Sequence, residues 1–76
     1  MDVVAVTIGC NSESKCKDLY DNLVKTYQIL YPETLENGEA MIRNLTTRKV
    51  VEVVLRGPEA ISSYKLLEKF MKWYKK

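Results

Sequence analysis

Three short segments of the chain are rich in β-branched and other apolar residues and are bounded by turn residues, a pattern that predicts β-strands. They are residues 3–8, 40–45 and 50–56. Both faces of the first segment are apolar, so we expect this strand to be covered on both sides. In the third segment Val51, Val53 and Leu55 share one face, while Glu52 and Arg56 lie on the other.

Two longer segments follow the helical period of 3.6 residues. The first begins after the capping residues Asn11, Ser12 and Ser14, and we expect Pro32 to end it. Its apolar positions are Cys16, Leu19, Tyr20, Leu23, Val24, Tyr27, Leu30 and Tyr31. The second starts at Pro58, which suits the first turn of a helix. Its apolar positions are Ala60, Ile61, Tyr64, Leu67, Phe70, Met71 and Tyr74.

The connections complete a β-α-β-β-α order. Residues 33–39 are polar and contain the turn signal Asn37-Gly38, and residues 46–49 form a short reversal between two strands. We predict an α+β fold with a three-stranded, largely antiparallel sheet and two helices on one face. Residues 1–76 form a single domain with a thin core. The second sheet face would then stay open, so we predict a dimer formed through Val51, Val53 and Leu55.

Composition indicates a soluble, cytoplasmic protein. The N-terminus has no basic region of the secretory type, and no apolar run is long enough to cross a bilayer. The two cysteines, Cys10 and Cys16, are too few for a disulfide framework. We expect both to be free, buried or half-buried thiols, and a local disulfide is the alternative.

The residues that most reactions need are missing. The chain has no histidine, only three glycines and no Cys-x-x-Cys pair, so it offers no phosphate-binding loop and no zinc motif. Cys10 lies where a strand meets a helix, a place that can activate a thiol, but no base accompanies it. We therefore expect no enzymatic activity, no cofactor and no metal.

Two features favour binding. On the last helix the lysines recur at positions 65, 69, 72 and 76, which predicts a basic stripe able to contact nucleic-acid phosphates. A solvated helix face is the alternative reading of Lys65, Lys69, Lys72 and Lys76. Tyr31, Trp73 and Tyr74 lie near helix ends, where large aromatic side chains are good anchors for a protein partner.

The chain resembles the small dimerising subunit of the archaeal and eukaryotic KEOPS complex, which makes threonylcarbamoyladenosine in tRNA. Ser12-Glu13 before the first helix, the apolar-Tyr pair Leu19-Tyr20 and the basic turn in residues 45–51 resemble that family. So do Ala60-Ile61 at the start of the last helix and Trp73 near its end. Ser62 departs from it, because the family commonly has an arginine there.

This resemblance implies a non-catalytic scaffolding subunit. Such a subunit dimerises with itself or a paralogue, packs its helices against the catalytic threonylcarbamoyltransferase subunit and assists tRNA binding. One alternative is a stand-alone KH-like RNA-binding module, although the Gly-x-x-Gly loop of that fold is missing. Another is a small dimeric ligand-sensing domain, which needs a polar-lined pocket.

Overall fold

The computed structural model describes the backbone of residues 2–74 and the side chains of residues 2–71. The chain folds as a three-stranded antiparallel sheet with helices packed against it, as the sequence predicts. The strands are β1 (Val3–Gly9), β2 (Ala40–Leu45) and β3 (Val50–Arg56), arranged in the order β1-β3-β2. The most apolar strand, β3, is therefore central, and β1 and β2 form the two edges.

The strand register builds one buried face. Val6 of β1 lies opposite Val53 of β3, which lies opposite Ile42 of β2. The flanking rows repeat this alignment, because side chains on one face recur at every second residue. The buried side chains on this face, which we call the covered face, are Val6, Ile8, Ala40, Val51, Val53 and Leu55.

The first helix, α1, spans Glu13–Leu30. It begins where Ser12 Oγ accepts a hydrogen bond from the backbone N–H of Lys15 at 3.2 Å, as the capping prediction implied. Its buried positions are Cys16, Leu19, Leu23 and Tyr27, which form one stripe against the sheet. After Tyr31, Pro32 does not only end α1; it also starts a second short helix.

That short helix, α2, spans Pro32–Glu36 and was not predicted, because residues 33–39 are polar and their one structural signal is the Asn37-Gly38 turn. Proline suits the first helical position because its missing N–H has no intrahelical partner there. The Asn37-Gly38 turn follows, as predicted, and leads into β2. A 3₁₀ turn over Thr46–Arg48 then joins β2 to β3.

The last helical segment is broken into two helices. The helix α3 spans Pro58–Ser62 and α4 spans Tyr64–Tyr74, with Ser63 between them. The apolar period runs through both, which is why the sequence predicted one helix. Ser63 is buried, and its hydroxyl donates to the carbonyl of Ala60 at 2.5 Å instead of facing solvent. Serine side chains compete in this way for backbone groups near helix ends.

The two cysteines are not free thiols; they form a disulfide between the end of β1 and the first turn of α1. Cys10 and Cys16 have Cα atoms 5.2 Å apart, within the range that a disulfide requires. Both belong to the buried core. A sequence separation of six residues does not predict this pairing, because the distance between the two Cα atoms depends on how sharply the chain turns between β1 and α1.

Candidate interaction surfaces

The sheet face opposite the helices has no covering layer among the described residues. We call it the open face. It carries Val3, Ala5, Thr7 and Gly9 of β1, Met41, Arg43 and Leu45 of β2, and Val50, Glu52, Val54 and Arg56 of β3. Val3 is 55% exposed and Met41 is 43% exposed. The expectation that β1 is covered on both sides is therefore wrong within this part of the chain.

An ion pair crosses the middle of the open face. Arg43 Nε donates to Glu52 Oε1 at 3.0 Å, and Arg43 Nη2 donates to the same oxygen. The Arg43 side chain is 57% exposed and that of Glu52 is 20% exposed. Exposed pairs add little stability. The pair does, however, leave the centre of this face nearly neutral, between rows of apolar side chains.

The residues predicted to form the dimer contact lie on the covered face instead. Val51, Val53 and Leu55 are each 0% exposed, because the helices pack over them. Their side chains belong to the protein's own core and cannot meet a second chain. The sequence identified the two faces of β3 correctly but could not tell which one the helices cover.

A groove of about 600 Å³ follows the free edge of β1. Its walls are residues 4–7 of β1 on one side and Ile61, Tyr64 and Met71 on the other. The helical side chains are half-buried and pack against the core. Among the described residues of this lining none is charged, and the polar side chains are those of Thr7 and Tyr64.

The lysine stripe is described only in part. Lys65 and Lys69 are exposed, whereas Leu67 is fully buried on the opposite side of α4. The exposure of Lys65 and Lys69 agrees with the predicted outward orientation of these two lysines. Lys72 lies in α4, but its side chain, like the whole of Lys76, is outside the described residues.

Of the three predicted aromatic anchors, only Tyr31 has a described side chain. It is half-buried, and its ring packs against that of Tyr27 with centroids 5.6 Å apart. The side chains of Trp73 and Tyr74 are outside the described part of the structure. The larger apolar exposure lies just before Tyr31, at Ile29 (70%) and Leu30 (56%).

The exposure of Ile29 and Leu30 at the end of α1 was not predicted from the sequence. Leu30 falls on the buried stripe by its period, but it lies beyond the part of α1 that packs on the sheet. Ile29 lies outside the buried stripe of α1. An isoleucine at such a position is the sequence feature that could have indicated the exposed apolar patch. Charged residues normally occupy that side of an amphipathic helix.

A buried hydroxyl pair joins the helices behind these surfaces. The hydroxyls of Tyr27 and Ser63 are 2.6 Å apart. Burial raises the pKa of Tyr27 above its ordinary value of 10.0, and the neighbouring Tyr31 adds to this rise. Within the described residues no three His, Cys, Asp or Glu side chains are close enough together to hold a metal ion.

No protein-family model matches the chain, and comparisons with curated proteins and with solved structures give no match either. None of the helices within residues 2–74 combines the length and the apolar character that a membrane-spanning helix needs. The surfaces described above are therefore the basis for any functional statement.

Proposed function

We propose that this protein is a non-catalytic, dimerising scaffold of the kind found in the KEOPS complex. In this role it binds a catalytic threonylcarbamoyltransferase subunit and assists tRNA binding, in the cytoplasm. The β-α-β-β-α order and the motifs at Ser12-Glu13, Leu19-Tyr20 and Ala60-Ile61 support the resemblance. The observation that carries the proposal is the open face, because an apolar sheet face of this extent is typical of a protein interface.

The open face suits a second copy of the chain. Its apolar members, including Val3, Met41 and Val54, flank the Arg43–Glu52 pair. A two-fold dimer needs a surface that is complementary to itself. A central pair with one positive and one negative member meets this need, because each Arg43 can approach the Glu52 of the other copy. Ala5, Thr7 and Gly9 are small, so a second sheet can come close to β1.

In such a dimer the helices remain accessible to a different partner. If the open faces meet, α1 and α4 point away from the dimer on both sides. Ile29 and Leu30 then form an exposed apolar patch at the end of α1. A helix of the catalytic subunit packing against this patch would bury it, and helix-to-helix contact of this kind is a common recognition mode.

The dimer is tested by light scattering on the purified chain. The wild type is expected to show twice the mass of one 8.8 kDa chain at micromolar concentration. Val54→Lys places a charge on the open face and is expected to give a monomer. Gln28→Lys is the matched control, because it adds the same charge at an exposed position of α1. A wild-type monomer, or a Val54→Lys protein that still dimerises, would contradict the proposal that the open face forms the dimer contact.

The partner assignment is tested separately by affinity capture from the native organism. We expect the wild type to recover a threonylcarbamoyltransferase subunit. Ile29→Asp should abolish this recovery, whereas Val54→Lys should keep it. Capture that survives Ile29→Asp would place the contact elsewhere, and failure to recover any such subunit would end the KEOPS assignment while leaving the dimer result intact.

A further inference from the structure

Two distant segments of the chain meet at the end of the molecule where β1 ends. The backbone N–H of Cys10 donates to the carbonyl of Lys49 at 2.8 Å, which fastens the β2–β3 turn to the end of β1. The disulfide then links Cys10 to Cys16 in α1. The start of α1 and the tip of the β2–β3 hairpin are thereby held together.

The side chains at this end are strongly basic. Residues 11–17 and 46–49 contain four cations and one acid, Glu13. We call the four cations the basic tip: Lys15, Lys17, Arg48 and Lys49. All four are exposed, and none forms a salt bridge within the described part of the chain.

Lys49 occupies a backbone conformation that lysine rarely adopts. Its φ is 56° and its ψ is 43°, the left-handed region, and it is the only non-glycine residue with positive φ among those described. Glycine or asparagine normally fills this position in a hairpin of this kind. The strain does not identify a ligand, but it means that Lys49→Gly can remove the charge without harming the turn.

We propose that the basic tip binds the phosphodiester backbone of RNA. This inference rests on the proposed function, in which the protein assists tRNA binding, and it adds a contact site separate from Lys65 and Lys69 of α4. Cations on long side chains, accompanied by the exposed hydroxyls of Ser14 and Thr47, are the usual donors to phosphate oxygens.

The composition of the tip favours a phosphate polymer over an acidic protein. Among residues 11–17 and 46–49 no apolar side chain is exposed, since Cys16 is buried and the others are polar. Protein partners are normally anchored by buried aromatic or aliphatic residues. A purely electrostatic surface without such anchors is instead typical of sequence-independent backbone binding.

The test is fluorescence anisotropy with labelled tRNA and the purified 76-residue chain, from about 50 to 200 mM salt. The variant is Arg48→Ala/Lys49→Gly. The control is Lys25→Ala, which removes an exposed lysine ten residues beyond Lys15 on α1 and outside the basic tip. Denaturation of each variant verifies that the fold is kept.

We expect the double variant to bind tRNA about tenfold or more weakly at low salt. The slope of log affinity against log salt should become shallower by about 1 for each lost phosphate contact. Lys25→Ala should bind like the wild type. Polyglutamate at equal charge concentration should not compete with tRNA.

Three results would overturn the inference. If the double variant binds like Lys25→Ala, the contact lies elsewhere, and Lys65→Ala/Lys69→Ala becomes the informative variant for the proposed function. If the wild type binds no tRNA at 50 mM salt, the RNA role of the proposed function fails as well, although the dimer result stands. If polyglutamate competes as well as tRNA, the tip is a site for an acidic protein.

Discussion

The hydroxyl of Tyr27 donates a hydrogen bond to Ser63 Oγ in the interior of the protein. The direction follows from the second contact of Ser63, which gives its only hydroxyl hydrogen to the carbonyl of Ala60. Tyr27 must therefore supply the hydrogen that lies between the two oxygens. The bond joins Tyr27, the last buried residue of α1, to the break between α3 and α4.

Removing this hydroxyl is expected to destabilise the protein. Tyr27→Phe leaves the buried Ser63 oxygen without its donor, which should lower the free energy of unfolding by about 1–2 kcal/mol. Tyr20→Phe is the control, because that ring is half-buried and more accessible to water. Urea denaturation measures both. Equal stability of the two variants would show that the Tyr27 hydroxyl contributes nothing specific.

The same residue predicts a loss of stability at alkaline pH. Burial raises the pKa of Tyr27 in the folded protein, so the folded state holds this proton more tightly than the unfolded state does. The resulting stability is complete below about pH 10, the unfolded value, and is lost as pH rises through the folded pKa. The stability difference between wild type and Tyr27→Phe should therefore shrink above pH 10. A difference that stays constant up to the alkaline limit of folding would contradict this linkage.

The disulfide is expected to stabilise the fold although its loop is short. Closing a loop of six residues removes unfolded-state entropy equivalent to about 2 kcal/mol. Denaturation with and without a thiol reductant should differ by roughly this amount in the wild type. Cys10→Ala/Cys16→Ala should show no such dependence on reductant. Thiol titration verifies that the disulfide is reduced. Identical denaturation curves of the wild type with and without reductant would show that the disulfide does not stabilise the fold.

Gly57 should not tolerate a side chain. Its φ is 89° and its ψ is 155°, a conformation that is almost exclusive to glycine, and an added Cβ would lie 2.5 Å from Glu39 Oε2. Gly57→Ala is therefore expected to cost about 1–3 kcal/mol in thermal or urea denaturation. Gly9→Ala is the matched control, because nothing lies within 4 Å of its added Cβ. Comparable losses in both variants would contradict the conformational explanation.

Local sequence patterns were sufficient for most of the fold. β-Branched runs located the strands and the period of 3.6 residues located the helices, because side-chain direction alternates or rotates regularly within one element. The patterns failed where the answer depended on distance between elements. Three features depend on how α1 and α4 lie against the sheet: the pairing of Cys10 with Cys16, the choice of covered face at Val53 and the break at Ser63.

The candidate surfaces were less predictable for the same reason. Lys65 and Lys69 could be assigned to an exposed side because helical periodicity is local. The basic tip could not be predicted, because Lys15 and Lys49 are distant in sequence. Their segments are brought to the same end of the molecule by the hydrogen bond from Cys10 and by the disulfide. The exposure of Leu30 follows from the point at which α1 leaves the sheet, which no periodic pattern reports.

The ring that the disulfide closes contains Lys15, a cleavage site for trypsin-like proteases. A cut after Lys15 would break the backbone, but the segment that carries β1 would stay covalently attached through Cys10 to the remainder of the chain. Under non-reducing conditions the nicked protein would gain only the mass of one water molecule and would migrate as one species. Reduction would release residues 1–15, so the cross-link keeps the edge strand β1 covalently attached after a cut at Lys15.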